Sequence, residues 1–351
     1  MSTMTRRFLL TALPAAAQTV HEEVRQLAEH APLSMIFRGS TEAECRAWQQ
    51  RFGAKLREML GDFTPPDRWE TVEESVHQAP DHTRRSLLLR AEGHRSLPLY
   101  LLEPKGGSGK RAGVLALHGH GPHGHDSVVG IASSTISYDY GLSLVKRGYV
   151  VAAPCFTPFG RRLGDPKAYG GDDACAVEFV RLQLLGKVLI GENLRDVLWS
   201  QALLERHPGV DGNRIGCVGL SYGGRMTMLA VAVSPRIRVA VISGALNVMQ
   251  ERIRGRYSCG AQAIPGLLRY GDVPEIASLI APRPCLWEIG RRDALMVKEW
   301  IEPSLERIRR AYRAMGADDA LTVDSFDGSH QWNGVKAYPL LDRVLNRDLK
   351  A

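Results

Sequence analysis

The run Gly219-Leu220-Ser221-Tyr222-Gly223-Gly224 has the GxSxG pattern in which a serine hydroxyl is offered for attack on a carbonyl. It follows the apolar run 215–218 and precedes a helical run, 226–233, so Ser221 falls on a predicted strand-to-helix turn. A turn that sharp lifts Oγ clear of a sheet and forces the residues two before and two after the serine together. Gly219 and Gly223 suit those places because they have no Cβ to collide. The helix that starts there aims its positive end at the serine, which favours negative charge developing on a bound carbonyl oxygen. A glycine-rich turn around a buried, inert serine would show the same letters. The two readings differ in whether the chain also supplies a base and an acid.

A serine hydroxyl is a poor nucleophile without a base. His330 is the one histidine downstream of Ser221, and it follows the apolar run 321–326 through Asp327-Gly328-Ser329. Asp293 follows the run 285–289 through Gly290-Arg291-Arg292. Residues just past the carboxyl ends of successive parallel strands share one edge of the sheet. The order serine, acid, histidine therefore predicts Ser221 as nucleophile, His330 as general base and Asp293 as the acid that fixes the imidazole tautomer. Asp327 is the rival acid. Two backbone N–H donors are needed for the oxyanion, one of them from the loop after an earlier strand. The run 113–117 leads into His118-Gly119-His120-Gly121-Pro122, and the donors are assigned to the N–H groups of His120 and Tyr222. His118, His120, His123, His125 and Asp126 form a histidine-rich stretch of the kind that sometimes binds metal. Their spacing is not that of the helical two-histidine zinc motif, so no metal and no cofactor is assigned, and His118 is expected to pack or hydrogen-bond near the loop.

The elements that must hold these residues follow from the hydrophobic rhythm. Apolar β-rich runs at 113–117, 149–154, 215–220, 239–242, 284–289 and 321–326 alternate with helical segments, which predicts a parallel sheet covered on both faces. Before them, 70–103 reads as antiparallel strands, with 86–89 and 97–102 flanking the turn residue Gly93. Residues 20–60 read as helical, with Val24, Leu27 and Ala28 at helical spacing, and Pro65–Pro66 breaks the chain. No internal repeat is present. Segments 157–192 and 246–280, rich in Gly and Arg, fit the rhythm poorly and are expected to be lid-like insertions. The organisation expected is a leader over 1–17, a helical extension over 18–66 and a catalytic domain over 67–351.

The chain has 351 residues, 44% hydrophobic and 24% charged, and carries a formal charge of +7. No long Lys/Arg run or aromatic-interleaved patch marks a nucleic-acid groove, so a nucleic-acid partner is not expected. A small-molecule or carbohydrate ester is the partner expected. Arg161, Arg162, Arg291 and Arg292 offer anion-binding groups but equally suit a solvated surface. Arg6–Arg7, the short apolar stretch 8–16 and the small residues 15–17 predict an export leader, hence a periplasmic or secreted protein, or a cytoplasmic one where the leader is not processed. The apolar stretch is too short to span a bilayer, and no later segment of about 20 apolar residues exists. The six cysteines form no CxxC pair, which gives no support to a zinc ribbon or a thioredoxin motif. Cys217 and Cys285 lie inside apolar runs, and export would permit one disulfide among the others.

Taken together, His118-Gly119-His120-Gly121, the serine turn, Ile280-Ala281-Pro282-Arg283-Pro284 before the acid, the stretch 267–276 and Gly328-Ser329-His330 resemble the dienelactone-hydrolase-like and acetyl-xylan-esterase-like α/β hydrolases of bacteria. The resemblance covers about residues 70–345. It implies the α/β-hydrolase fold, a mostly parallel central sheet with helices on both faces, here with an N-terminal helical extension. It also implies ester hydrolysis, with carbohydrate acetyl esters as one substrate class. Dienelactone hydrolases use a cysteine nucleophile, and this chain has Ser221, so the lactone activity is not carried over. Two other readings share the fold. A prolyl-oligopeptidase-like peptidase would need a gating propeller of at least four blades of about 40 residues, for which the N-terminal region is too short. A binding protein that has lost catalysis would not need the serine–acid–histidine order.

Overall fold

The computed structural model describes residues 19–132, 139–164, 173–255 and 259–346. The expected leader, 1–17, lies outside the described residues.

Nine strands form one sheet in the order β1-β2-β3-β5-β4-β6-β7-β8-β9. They are β1 (Glu70–Gln78), β2 (His82–Arg90), β3 (Leu97–Pro104), β4 (Arg111–Leu117), β5 (Val150–Pro154), β6 (Val210–Leu220), β7 (Ile237–Ser243), β8 (Cys285–Gly290) and β9 (Leu321–Phe326). From β5 onward across the sheet every pairing is parallel, while β1, β2 and β3 form an antiparallel meander that joins through β3 and β5. The parallel strands are apolar on both faces, as strands covered on both sides must be. Leu115, Leu117, Cys217 and Ile242 belong to one buried cluster, and their neighbours Val114, Ala116, Val218 and Val241 to the other.

The helices are α1 (Val20–Glu29), α2 (Glu42–Leu60), α3 (Tyr140–Lys146), α4 (Ala174–Leu184), α5 (Leu189–Arg206), α6 (Tyr222–Val233), α7 (Met249–Gly255), α8 (Val273–Ser278), α9 (Lys298–Ala314) and α10 (Ala337–Leu345). Residues of α3 and α10 cover one face, and residues of α2, α5, α6, α8 and α9 the other. The helical stretch expected over 20–60 is two helices, each begun by a capping box, Thr19 with Glu22 and Thr41 with Glu44. Trp48, Phe52, Leu56 and Leu60 recur every four residues along α2 and bury one stripe of it.

All six cysteines are buried and free, so the disulfide that export would permit is not formed here. Among the described residues no helix is long and apolar enough to cross a membrane.

Candidate active site

Ser221 sits between β6 and α6 with φ 61° and ψ −120°, a left-handed backbone that a non-glycine residue occupies only when its surroundings force it to. Its N–H donates to the Ser243 carbonyl at 2.8 Å, and its own carbonyl accepts from Arg225 N–H at 3.0 Å. A Cβ on Gly219 would lie 2.3 Å from the Gly223 carbonyl carbon, and one on Gly223 would lie 1.8 Å from the Leu117 oxygen. Both positions therefore exclude a side chain.

Asp293 and His330 come from the loops after β8 and β9, which are laced together. Arg291 N–H donates to the Phe326 carbonyl and Arg292 N–H to the Gly328 carbonyl, both at 2.9 Å. Gly290 permits the approach, since a Cβ there would sit 2.2 Å from the Ser329 oxygen. His330 Nδ1 then lies 2.7 Å from Asp293 Oδ2. The other oxygen of this carboxylate accepts from Leu295 N–H at 2.8 Å. Asp293 is 4% exposed, a burial that removes competing water from the pair. Asp327 faces away, exposed and paired with Arg292. His330 Nε2 is buried and has no hydrogen-bond partner among the described residues.

Ser221 and His330 line one cavity of about 330 Å³, together with His120, Gly244, Asn247, Arg252, Cys259, Gln262 and Leu295. That volume is at the small end of ligand sites, about 300–1,000 Å³. A larger cavity of about 420 Å³ lies between α1 and the stretch around Leu267, lined by Val24, Leu27, Met249 and Ile253, and it holds none of these groups. The wall of the smaller cavity includes Asn247, Arg252, Cys259 and Gln262, all from the segment 246–280.

The histidine-rich loop spreads its side chains in different directions. The His118 ring is buried, accepts Phe156 N–H on Nε2 at 2.9 Å and contacts the Gly119 carbonyl through Nδ1 at 2.7 Å. That pattern places the proton on Nδ1, and burial pushes the pKa down to about 4. His125 is buried and stacks on Tyr100. His120 reaches the cavity, where its Nε2 lies 2.9 Å from Cys259 Sγ. Tyr222 is fully buried beside the His120 ring, their centroids 5.1 Å apart.

Four arginines singled out in the sequence are held by partners. Arg161 pairs with Glu74, Arg162 with the buried Asp196 and Arg292 with Asp327, while Arg291 donates to the Ser325 carbonyl. Arg252, which lines the cavity, was not singled out. Other residues of the site were also missed. Gly244, φ 57°, lies against the imidazole, since a Cβ there would fall 2.9 Å from His330 Cε1. Glu288 accepts from Asn333 and Gly334 N–H at 3.1 and 2.7 Å and so anchors the segment after His330. A carboxylate inside the apolar run 285–289 was a signal available for it.

No family model matches the chain. YtaP of Bacillus subtilis, designated a hydrolase, is 28% identical over 281 residues, 77% of this chain and 89% of that protein. A solved Bacteroides fragilis protein assigned as an acetyl xylan esterase superposes with a TM-score of 0.75 at 18% identity, over 91% of this chain and 83% of that one. A glucuronoyl esterase from Solibacter usitatus gives 0.58 at 14% identity, over 85% and 92%. This chain has the α/β-hydrolase fold. In an α/β hydrolase the nucleophile stands on the turn after a central strand, and the acid and histidine follow two later strands. Here those places are the ends of β6, β8 and β9, occupied by Ser221, Asp293 and His330.

Proposed function

We propose that this α/β hydrolase is a serine esterase of the acetyl-xylan-esterase-like group, acting on carbohydrate esters. The observation that carries the proposal is the Asp293–His330 pair at 2.7 Å, on the same cavity as a serine held at positive φ. His330 Nε2 takes the Ser221 proton as Oγ attacks the ester carbonyl. The N–H groups of His120 and Tyr222 receive the oxyanion. His330 then returns the proton to the leaving alcohol. Water, deprotonated by the same imidazole, releases the acid and regenerates the serine. Asp293 holds the proton on Nδ1 and stabilises the imidazolium.

The hydrolase name of the Bacillus relative supports hydrolysis, and the substrate class is supported by the esterase neighbours, whose names refer to acetyl xylan and glucuronoyl esters. Asn247, Arg252 and Gln262 on the cavity wall offer hydrogen-bonding groups of the kind sugar hydroxyls need. The segment 246–280 acts as an insertion that shapes this wall, on an extension-plus-catalytic-domain plan over 18–66 and 67–351. The basic and apolar residues at the N-terminus support export to the periplasm or medium.

The test is labelling with a fluorophosphonate probe together with turnover of p-nitrophenyl acetate, acetylated xylo-oligosaccharides and methyl uronate esters. Wild type labels and turns over esters. Ser221→Ala does neither, losing about 10⁴-fold or more in turnover. A Ser221→Ala protein with undiminished hydrolysis refutes the assignment. Faster cleavage of a proline-containing peptide amide than of any ester would favour the peptidase.

A further inference from the structure

Next to the proposed catalytic pair, three donors converge that the hydrolysis does not use. His120, Cys175 and Cys259 bring an imidazole nitrogen and two sulfurs within 4.8 Å of one another. Three separate segments supply them: the loop after β4, the start of α4 and the short helical turn Gly260–Gln262. The close approach is built into the backbone, because a Cβ on Gly260 would lie 2.7 Å from the Cys175 carbonyl oxygen. Both cysteines are buried, 7% exposed each, whereas His120 and Cys259 also face the cavity that holds Ser221.

We propose that His120 Nε2, Cys175 Sγ and Cys259 Sγ form a binding site for a thiophilic divalent cation, Zn²⁺, whose fourth coordination position opens into the ester cavity. Two thiolates and an imidazole are soft and borderline donors, which select zinc over magnesium or calcium. Three protein ligands with one open position are a recurrent zinc arrangement. Donors around a tetrahedral zinc, bound at about 2.0–2.3 Å, stand roughly 3.5–3.8 Å apart. The donors already lie within 4.8 Å of one another, and binding lengthens the 2.9 Å His120–Cys259 contact as the side chains adjust around the ion. A disulfide between the two cysteines would use the sulfurs alone and give the imidazole no part. The convergence of a third donor is what favours the ion. The site goes beyond the esterase reading and does not depend on it.

Full-length protein, reduced and stripped of metal with a chelator, is titrated with Co²⁺ and followed by absorption. The expected result is an intense near-ultraviolet thiolate-to-cobalt band with visible bands of a tetrahedral ion, saturating at a single equivalent and displaced by Zn²⁺. Cys175→Ser and Cys259→Ser each weaken binding by about tenfold or more, and so does His120→Ala. Cys285→Ser, a thiol buried in β8 away from the cluster, leaves the titration unchanged. Because Cys259 Sγ accepts Ala261 N–H at 3.3 Å and its loss disturbs the local turn, wild type is also alkylated with iodoacetamide. Zn²⁺ is expected to protect Cys175 and Cys259 selectively. Fully reduced protein with no thiolate band, a band of equal strength in both serine variants, or alkylation indifferent to Zn²⁺ overturns the proposal. None of these readouts uses an ester, so protein that binds cobalt but cleaves nothing refutes the esterase and leaves the metal site standing.

Discussion

Asn193 Nδ2 donates to the Tyr222 hydroxyl at 2.7 Å and to the Thr157 carbonyl at 2.8 Å, and Asn193 Oδ1 accepts Thr157 N–H at 3.0 Å. All three residues are buried, so the amide of α5 ties the residue after Ser221 to the loop that follows β5. Asn193→Leu leaves the Thr157 amide group and the phenol unsatisfied, at about 1–3 kcal/mol for each group. Tyr222→Phe removes only one of the contacts. Urea unfolding is expected to show Asn193→Leu as clearly the less stable variant. Because the proposed oxyanion donor at Tyr222 is main chain, Tyr222→Phe should keep ester turnover within a few fold of wild type, and a loss comparable to that of Ser221→Ala would remove the main-chain assignment.

The two aspartates near His330 give a sharper comparison. Asp293 is buried and contacts Nδ1, whereas Asp327 is exposed and pairs with Arg292. Asp293→Asn preserves the shape but favours the wrong imidazole tautomer, which in serine proteases costs about 10⁴-fold in kcat. A loss of that order is expected here, with KM little changed. Asp327→Asn breaks only surface ion pairs, with Arg292 and Arg291, each worth about 0–1 kcal/mol, and should leave kcat within a few fold. Equal losses in the two variants would show that the acid has been misassigned.

Ser221 carries a conformational cost that its replacement can reveal. A non-glycine residue at φ 61°, ψ −120° is strained by about 1–3 kcal/mol. Glycine meets no such cost but adds entropy to the unfolded chain. Ser221→Gly is therefore expected to abolish turnover while raising the unfolding free energy by about 1 kcal/mol. Ser221→Ala, which keeps the Cβ, should abolish turnover without that gain. Calorimetry of the two inactive variants against wild type separates them.

The parallel core could be read from sequence because β4 to β9 are continuous apolar runs, and Asp293 and His330 because they stand just past two of those runs. β1 lies inside the stretch 70–103 read as antiparallel strands, but nothing in the sequence marks it off as a separate strand. Its residues Glu70–Gln78 are almost wholly exposed along the sheet edge, with no apolar alternation to mark them. Asn193 was equally silent, since one polar residue among the several polar and charged ones of α5 reads as a solvated position until its partners are in view. Cys175 and Cys259 lie 84 positions apart in the sequence, and only tertiary packing of α4 against the turn at Gly260 shows that they meet. Local pattern identifies elements and the ends of elements; it says nothing of contacts between segments that share no periodicity.

His125 makes this fold sensitive to acid. Its ring is fully buried, stacks on Tyr100 with centroids 4.5 Å apart and, among the described residues, has no hydrogen-bond partner at either nitrogen. Burial is the chief cause that holds its pKa well below 6.5, and the charges of His118, Arg161 and Arg162 act in the same direction. Asp126, whose Oδ1 is 3.8 Å from Nδ1, is the opposing charge. The unfolded chain takes up this proton near pH 6.5, and the native protein does so only at lower pH. Protons therefore favour the unfolded state between those values. Stability from neutral His125 is complete above about pH 6.5 and is lost as pH falls, by about 1.4 kcal/mol per pH unit. His118, buried and pushed down to about 4, contributes in the same sense. His125→Phe keeps a ring on Tyr100 and removes one proton site. Unfolding free energies from urea titrations near pH 7 and near pH 5 should fall for both proteins, with the drop smaller in His125→Phe by about 1–2 kcal/mol. An identical drop in the two would mean that His125 is already protonated, or already hydrated, in the native protein.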